Sequence, residues 1–160
     1  MIIYISRDAF AFIISEVKKA KNIETGGILL GVILKSKDVL ITHAIGPGPK
    51  AIKRSSIFQK DYEYSLKMLN ILYKKYSVDF LGDWHKHPNN CIEYSKRDYL
   101  SMINISKINS RPCFFIIVGN NITEDDGGIK IYSVNNSYSI QSYPFQIVDE
   151  PEKLALEKGI

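Results

Sequence analysis

The chain has 160 residues, of which 45% are hydrophobic and 24% charged, with a formal net charge of +4. That length suits one domain with a sizeable core, and no apolar run approaches the roughly 20 residues that span a bilayer. The basic doublets Lys18-Lys19, Lys74-Lys75 and Lys96-Arg97 stand among acidic or polar neighbours, which argues against a nucleic-acid stripe and against strong long-range steering. The N-terminus, Met1 to Asp8, has neither the basic region nor the cleavage site of a signal peptide, so the expected location is the cytoplasm, with no membrane association. Cys91 and Cys113 form no paired motif, and no structural disulfide is expected in a reducing compartment.

In chain order, Ser6 is placed to cap a helix starting at Arg7 or Asp8. Phe10, Ile13, Ile14 and Val17 carry its apolar stripe to about Lys21. Glu24-Thr25-Gly26-Gly27 leads into the apolar strand 28–34, of the doubly buried kind. Lys35 to Asp38 reads as a hairpin turn into a strand over 39–45, and Gly46-Pro47-Gly48-Pro49 opens a loop reaching Phe58. A helix is expected from about Lys60 to Tyr76, with Tyr62, Leu66, Leu69, Leu72 and Tyr73 facing inward. Phe80 to His85 reads as a strand that Pro88 ends, and Ser95 starts a short helix with Tyr99, Leu100, Met102 and Ile103. Strands follow at 112–119, 128–134 and 138–143, with turns at 125–128 and 135–137. Residues 146–160 read as a polar C-terminal tail with a short helical turn, beyond a domain spanning 1–145. The fold class is α/β, a mixed β-sheet flanked by helices in a single-domain sandwich.

The densest chemistry lies in Gly82-Asp83-Trp84-His85-Lys86-His87-Pro88, followed by Ser95-Lys96-Arg97-Asp98. Residues two apart on a strand share a face, so the imidazoles of His85 and His87 can reach one ion. Asp98 adds a carboxylate, and two imidazoles with one carboxylate make a three-ligand zinc set that leaves a position open, the arrangement of catalytic rather than structural zinc. Asp83 shares the parity of the histidines and reads either as a solvent-facing acid or as a carboxylate that orients one of them. Trp84 faces the other way, as a core residue. His43 reads as a polar strand-end residue, Cys113 as core and Cys91 as a loop residue near the metal. Ser95-x-x-Asp98 also has the spacing of a helix capping box, which would occupy both side chains with backbone amides.

These residues resemble the JAB/MPN metalloprotease family and its JAMM signature, in which a distant Glu precedes His-x-His-Pro, with Ser and Asp eight and eleven residues after the second His. Glu24, His85, His87, Pro88, Ser95 and Asp98 match every element at the family spacing. The resemblance covers roughly residues 1–145 and implies a cytidine-deaminase-like fold. It implies Zn2+ on His85, His87 and Asp98, with Glu24 and Ser95 as catalytic residues. Glu24 would act as general base and then general acid, and Ser95 would stabilise the oxyanion.

The resemblance is nearest to short bacterial members that accompany ubiquitin-transfer-like enzymes in mobile elements and antiphage systems such as CBASS. It implies an isopeptidase or peptidase cutting after the C-terminal tail of a ubiquitin-like protein or of a conjugated target. The implied partners are that protein and the ubiquitin-activating- and ubiquitin-conjugating-like enzymes of its pathway. The segment Gly46 to Phe58 is a candidate flap for strand addition to the tail. The other readings are a non-catalytic scaffold, a RadC-like nucleic-acid-associated protein, and a peptidase trimming a sulfur-carrier protein. The complete ligand set opposes the first, and the scattered basic residues oppose the second.

Overall fold

The computed structural model describes residues 1–125, 127–135 and 137–159. The first half of the chain runs β1 (Ile3–Ser6), α1 (Arg7–Ala20), β2 (Thr25–Ile33), β3 (Val39–Ile45), β4 (Ile52–Lys53), β5 (Phe58–Gln59) and α2 (Tyr62–Tyr76). The second half runs β6 (Asp79–Lys86), α3 (Lys96–Asn109), β7 (Phe114–Val118), β8 (Ile129–Val134), β9 (Ile140–Tyr143), β10 (Phe145–Val148) and α4 (Pro151–Lys158). Eight strands form one mixed sheet in the order β10-β1-β3-β2-β6-β7-β8-β9, and β4 and β5 form a separate hairpin. The architecture is the α/β class read from the sequence, a mixed sheet flanked by helices.

Helix α1 packs on one face of the sheet, where Phe10, Ile13, Ile14 and Val17 meet Ile3, Ile5, Leu29, Ile41 and Trp84. The other face carries α2 over Ile28 and Leu30, α3 over Phe115 and Ile117, and α4 over Tyr4 and Leu40. Caps fix where these helices begin. The Ser6 hydroxyl accepts from the Ala9 N–H at 3.2 Å, and the Asp61 carboxylate accepts from the Tyr64 N–H at 3.1 Å.

Several elements depart from the sequence reading. Strand β1 precedes the first helix and pairs parallel with both β3 and β10. At four residues it is too short for its alternation to register. The stretch read as a tail carries β10, at the sheet edge, and α4, whose Ala155 is buried. Helix α3 is fourteen residues long rather than short. In α2 the inward stripe is Tyr64, Met68, Leu69 and Leu72, whereas Tyr62, Leu66 and Tyr73 are exposed. Helix α2 starts at Tyr62, two residues later than read, with Asp61 as its cap, and its inward face is set by packing over Ile28 and Leu30. The turns read at 125–128 and 135–137 include Asp126 and Asn136, which lie outside the described residues, as does Ile160.

One irregularity positions the candidate site. Strand β6 pairs antiparallel with β2, but the register shifts where Leu29 faces Gly82 and Leu30 faces Phe80. This bulge reverses the alternation. Leu81 and Trp84, three residues apart, therefore both lie in the core under α1. Beyond the bulge, Asp83 and His85 face the α2 and α3 side, toward Met102, Ile105 and Phe115. Gly82 makes the bulge with φ +152, and a Cβ there would stand 1.8 Å from the Phe114 carbonyl oxygen. Without it His85 would be turned into the apolar core. Trp84 is fully buried and donates its indole N–H to the Ile45 carbonyl at 2.9 Å, which locks the strand from behind.

Candidate active site

A cleft of about 200 Å³ opens between α3, the β5 end of the hairpin and the exposed face of β6. Glu24, Lys60, Asp83, His85, Arg97 and Asp98 supply its polar lining, over a floor that includes Met102, Ile105 and Phe115.

His85 comes from β6, His87 from just beyond its end, and Asp98 from the first turn of α3. His85 Nε2 lies 3.0 Å from His87 Nε2 and 3.2 Å from Asp98 Oδ1, and His87 Nε2 lies 3.3 Å from Asp98 Oδ2. Ligands at about 2.0–2.1 Å from a tetrahedral ion stand roughly 3.4 Å apart. One ligand atom from each of the three residues lies within 4.8 Å of the other two, and together they could hold one metal ion. His87 donates from Nδ1 to the Cys91 carbonyl at 2.9 Å, which fixes its tautomer and leaves the Nε2 lone pair toward the other ligands. The exposed Cys91 contributes this carbonyl, while its thiol stands 3.9 Å from the Glu93 carbonyl oxygen.

The capping reading of Ser95-x-x-Asp98 is realised, and Asp98 also faces both imidazoles. The Ser95 hydroxyl accepts from the Asp98 N–H at 3.2 Å, and the Ser95 N–H donates to Asp98 Oδ2 at 2.6 Å, a complete capping box. A carboxylate has lone pairs enough to cap the helix and still face both imidazoles. Burial pushes the Asp98 carboxyl up, but hydrogen bonds from His85 and His87 outweigh it and hold the group well below the ordinary carboxylate range. The same contact raises His87.

Glu24 precedes β2, and its backbone N–H donates to the Arg54 carbonyl at 2.9 Å. The side chain is half-buried in the cleft; burial raises its pKa, while His85 and His87 pull it back down. The glycine after Thr25 matters here. A Cβ on Gly26 would stand 2.3 Å from the Trp84 carbonyl oxygen and 2.7 Å from the Phe58 ring. Only glycine lets β2, β6 and the hairpin meet beside Glu24.

The segment read as a flap is closed at its base by Asp61, which donates its N–H to the Pro47 carbonyl at 2.8 Å and accepts from the Lys50 N–H at 3.1 Å. Its tip is tied to both walls of the cleft, through Arg54 to Glu24 and through Arg97, which donates to the Ser56 carbonyl at 2.5 Å. Phe58 packs against Gly26, whereas Ile52 and Ile57 remain exposed.

One reading needs correction. Asp83 is the partner of Lys60, with which it forms an ion pair in the cleft wall, and makes no hydrogen bond to a histidine. Among the described residues its Oδ1 has no partner. His43 lies near the end of β3, where Thr42 Oγ1 meets its Nδ1 at 2.9 Å and its ring packs tilted against Tyr76 with centroids 5.1 Å apart. Lys60 and Arg97 are cleft residues that the sequence reading did not assign. Arg97 stands inside the Ser95-to-Asp98 spacing, a signal that was available; Lys60 carries none.

No family model matches the chain. Over 90 residues it is 29% identical to a protein of Sinorhizobium fredii named probable metalloprotease y4qB, a match covering 55% of each chain. Over 121 residues it is 30% identical to the CD-NTase/cGAS isopeptidase of Enterobacter hormaechei, covering 73% of this chain and 67% of that protein. The matches thus span about half of the first relative and two thirds of the second. The solution structure of protein DSY2949 from Desulfitobacterium hafniense superposes with a TM-score of 0.73 at 14% identity, over 93% of this chain and 94% of that one, which is a likeness of fold. With a His-x-His-Pro strand end, an Asp eleven residues on and relatives of these names, the chain belongs to the JAB/MPN family of metalloproteases.

Proposed function

We propose that the chain is a zinc-dependent isopeptidase or peptidase that cuts the bond after the C-terminal tail of a ubiquitin-like protein, or of a target joined through its C-terminus. The observation that carries this reading is the His85, His87 and Asp98 group set at a cleft that Glu24 lines with His85 and Asp98 and that Phe58 and Gln59 of β5 border. One relative is named as an isopeptidase of CD-NTase/cGAS, which supports a bacterial conjugation pathway, including one of antiphage defence, as the setting.

The reaction adds water across an amide: the C–N bond breaks, the acyl carbon gains a hydroxyl and the nitrogen gains a proton. A bound zinc ion would supply Lewis acidity, polarising the scissile carbonyl and lowering the pKa of water toward about 7. Glu24 takes the proton of the attacking water on its carboxylate and returns it to the departing amine. Its burial suits both halves, because a carboxyl raised above its ordinary value holds a transferred proton better. The Ser95 hydroxyl accepts from its own helix and keeps its proton free to donate to the carbonyl oxygen as charge develops there. The substrate tail lies extended along the hairpin, pairing by backbone hydrogen bonds, with side-chain pockets setting the sequence preference.

Incubating the protein with ubiquitin-like fusions and reading product masses tests this. Cleavage is expected after the last residue of the tail, lost on chelation and restored by zinc; intact fusions in the presence of zinc would refute it. Ser95→Ala separates the two duties of that residue. Loss of the cap lowers stability by about 1 kcal/mol, seen in the melting temperature, and loss of the oxyanion donor slows turnover by about 10²–10³-fold. A stability loss without a rate loss would leave Ser95 as a cap alone.

A further inference from the structure

Charges that are scattered in the sequence come together where the hairpin meets α3, beside the cleft that Arg97 lines. Lys53 lies on β4 and Arg54 follows it, while Lys96 and Arg97 open α3, and Arg97 joins the two elements through the Ser56 carbonyl. All four are exposed. Among the described residues none of them has a carboxylate partner, whereas Lys50, Lys60, Lys130 and Lys158 are each paired. The carboxylates facing the same cleft are accounted for: Asp98 by the two histidines, Asp83 by Lys60, and Glu24 by its place beside the ligand group.

Helix α3 opens Lys96-Arg97-Asp98, and the acid of this first turn is engaged with the Ser95 N–H and the two imidazoles.

We propose that this rim is a docking surface for an acidic segment of the protein substrate, a deepening that rests on the isopeptidase reading. Carboxylate side chains of an extended segment meet Lys53, Arg54, Lys96 and Arg97, and its aliphatic side chains meet Ile52 and Ile57, which stand 45% and 42% exposed on the hairpin. The two isoleucines that flank Lys53 and Arg54 on the hairpin fit a peptide better than a phosphate backbone, which offers no apolar partner. The weak steering expected from the dispersed sequence charges gives way to local attraction and a marked salt dependence.

The test uses fluorescein-labelled peptides of one length ending in Gly-Gly, with glutamates, glutamines or lysines at the same positions, and the combined variant Lys53→Glu, Arg54→Glu, Lys96→Glu. The acidic peptide is expected to bind wild type at least about tenfold more tightly than the neutral one and to weaken steeply as salt rises. The variant, with metal content and melting temperature preserved, is expected to lose that preference and favour the lysine peptide. Equal binding of acidic and neutral peptides, an unchanged variant, or displacement of the acidic peptide by duplex DNA at lower concentration than by the unlabelled peptide would overturn the proposal. The two readings fail separately. Fusion cleavage with an unchanged KM in the variant sinks the docking surface alone, and acidic-peptide binding without any cleavage sinks the isopeptidase alone.

Discussion

Replacing Glu24 with Gln is expected to lower turnover by about 10²–10⁴-fold while metal content and melting temperature stay near those of wild type. The substitution keeps the shape of the side chain, and the bond from the residue 24 N–H to the Arg54 carbonyl belongs to the backbone, so the junction between β2 and the hairpin survives. The three ligand atoms come from other residues. What disappears is the ability to accept a proton: an amide cannot take one from water and hand it to the departing amine. Metal content by elemental analysis, thermal melting and single-turnover cleavage of a fusion, measured together, check this. Turnover near that of wild type would remove Glu24 from the chemistry, and loss of metal would make it part of the ligand field instead.

The spacing of the three candidate ligands was legible in the sequence because binding one ion would require it. Two histidines at the end of a strand and an Asp in the first turn of the next helix form a pattern that local periodicity can place. The reason that pattern works was not legible. His85 faces the cleft only because Gly82 makes a bulge against β2 and reverses the alternation, and a bulge is a property of two strands read together. The strands β1 and β10 escaped for a related cause. Each is four residues long and exists by pairing with a segment more than a hundred residues away, so neither has a local signature. The rim charges are the same lesson in electrostatics, since Lys53 and Arg54 come near Lys96 and Arg97 only when the hairpin folds onto α3. The Lys60–Asp83 pair likewise needs the chain to bring the foot of the flap against β6. That pair takes a carboxylate two residues from His85 and neutralises it locally, which leaves the anionic share of the ligand group to Asp98.

His85→Ala with His87→Ala is expected to abolish zinc binding and cleavage together, with wild type carrying about one zinc per chain. One carboxylate from a helix turn cannot hold the ion alone, and Asp98 would keep only its capping bonds to Ser95. The double variant should remain folded, because the core strand is anchored by Trp84 and by pairing with β2 and β7, none of which involves an imidazole. Full zinc occupancy in the double variant would refute the ligand assignment. The pH dependence gives an independent check on His87. In the metal-free protein its pKa is raised above the ordinary histidine value of about 6.5, chiefly by its hydrogen bond to Asp98. A raised folded-state value means that protonated His87 contributes stability below about pH 6.5, a contribution lost as pH climbs through the raised value. Metal loading has the opposite sign, because the ion needs the neutral imidazole and displaces that proton. Stability of the chelated protein should therefore fall across this window while zinc affinity rises, and His87→Ala should flatten the stability trend. Parallel melting curves with and without zinc, from about pH 6 to about pH 8, would show the two trends crossing if His87 is a ligand. A zinc affinity independent of pH over that range would exclude it.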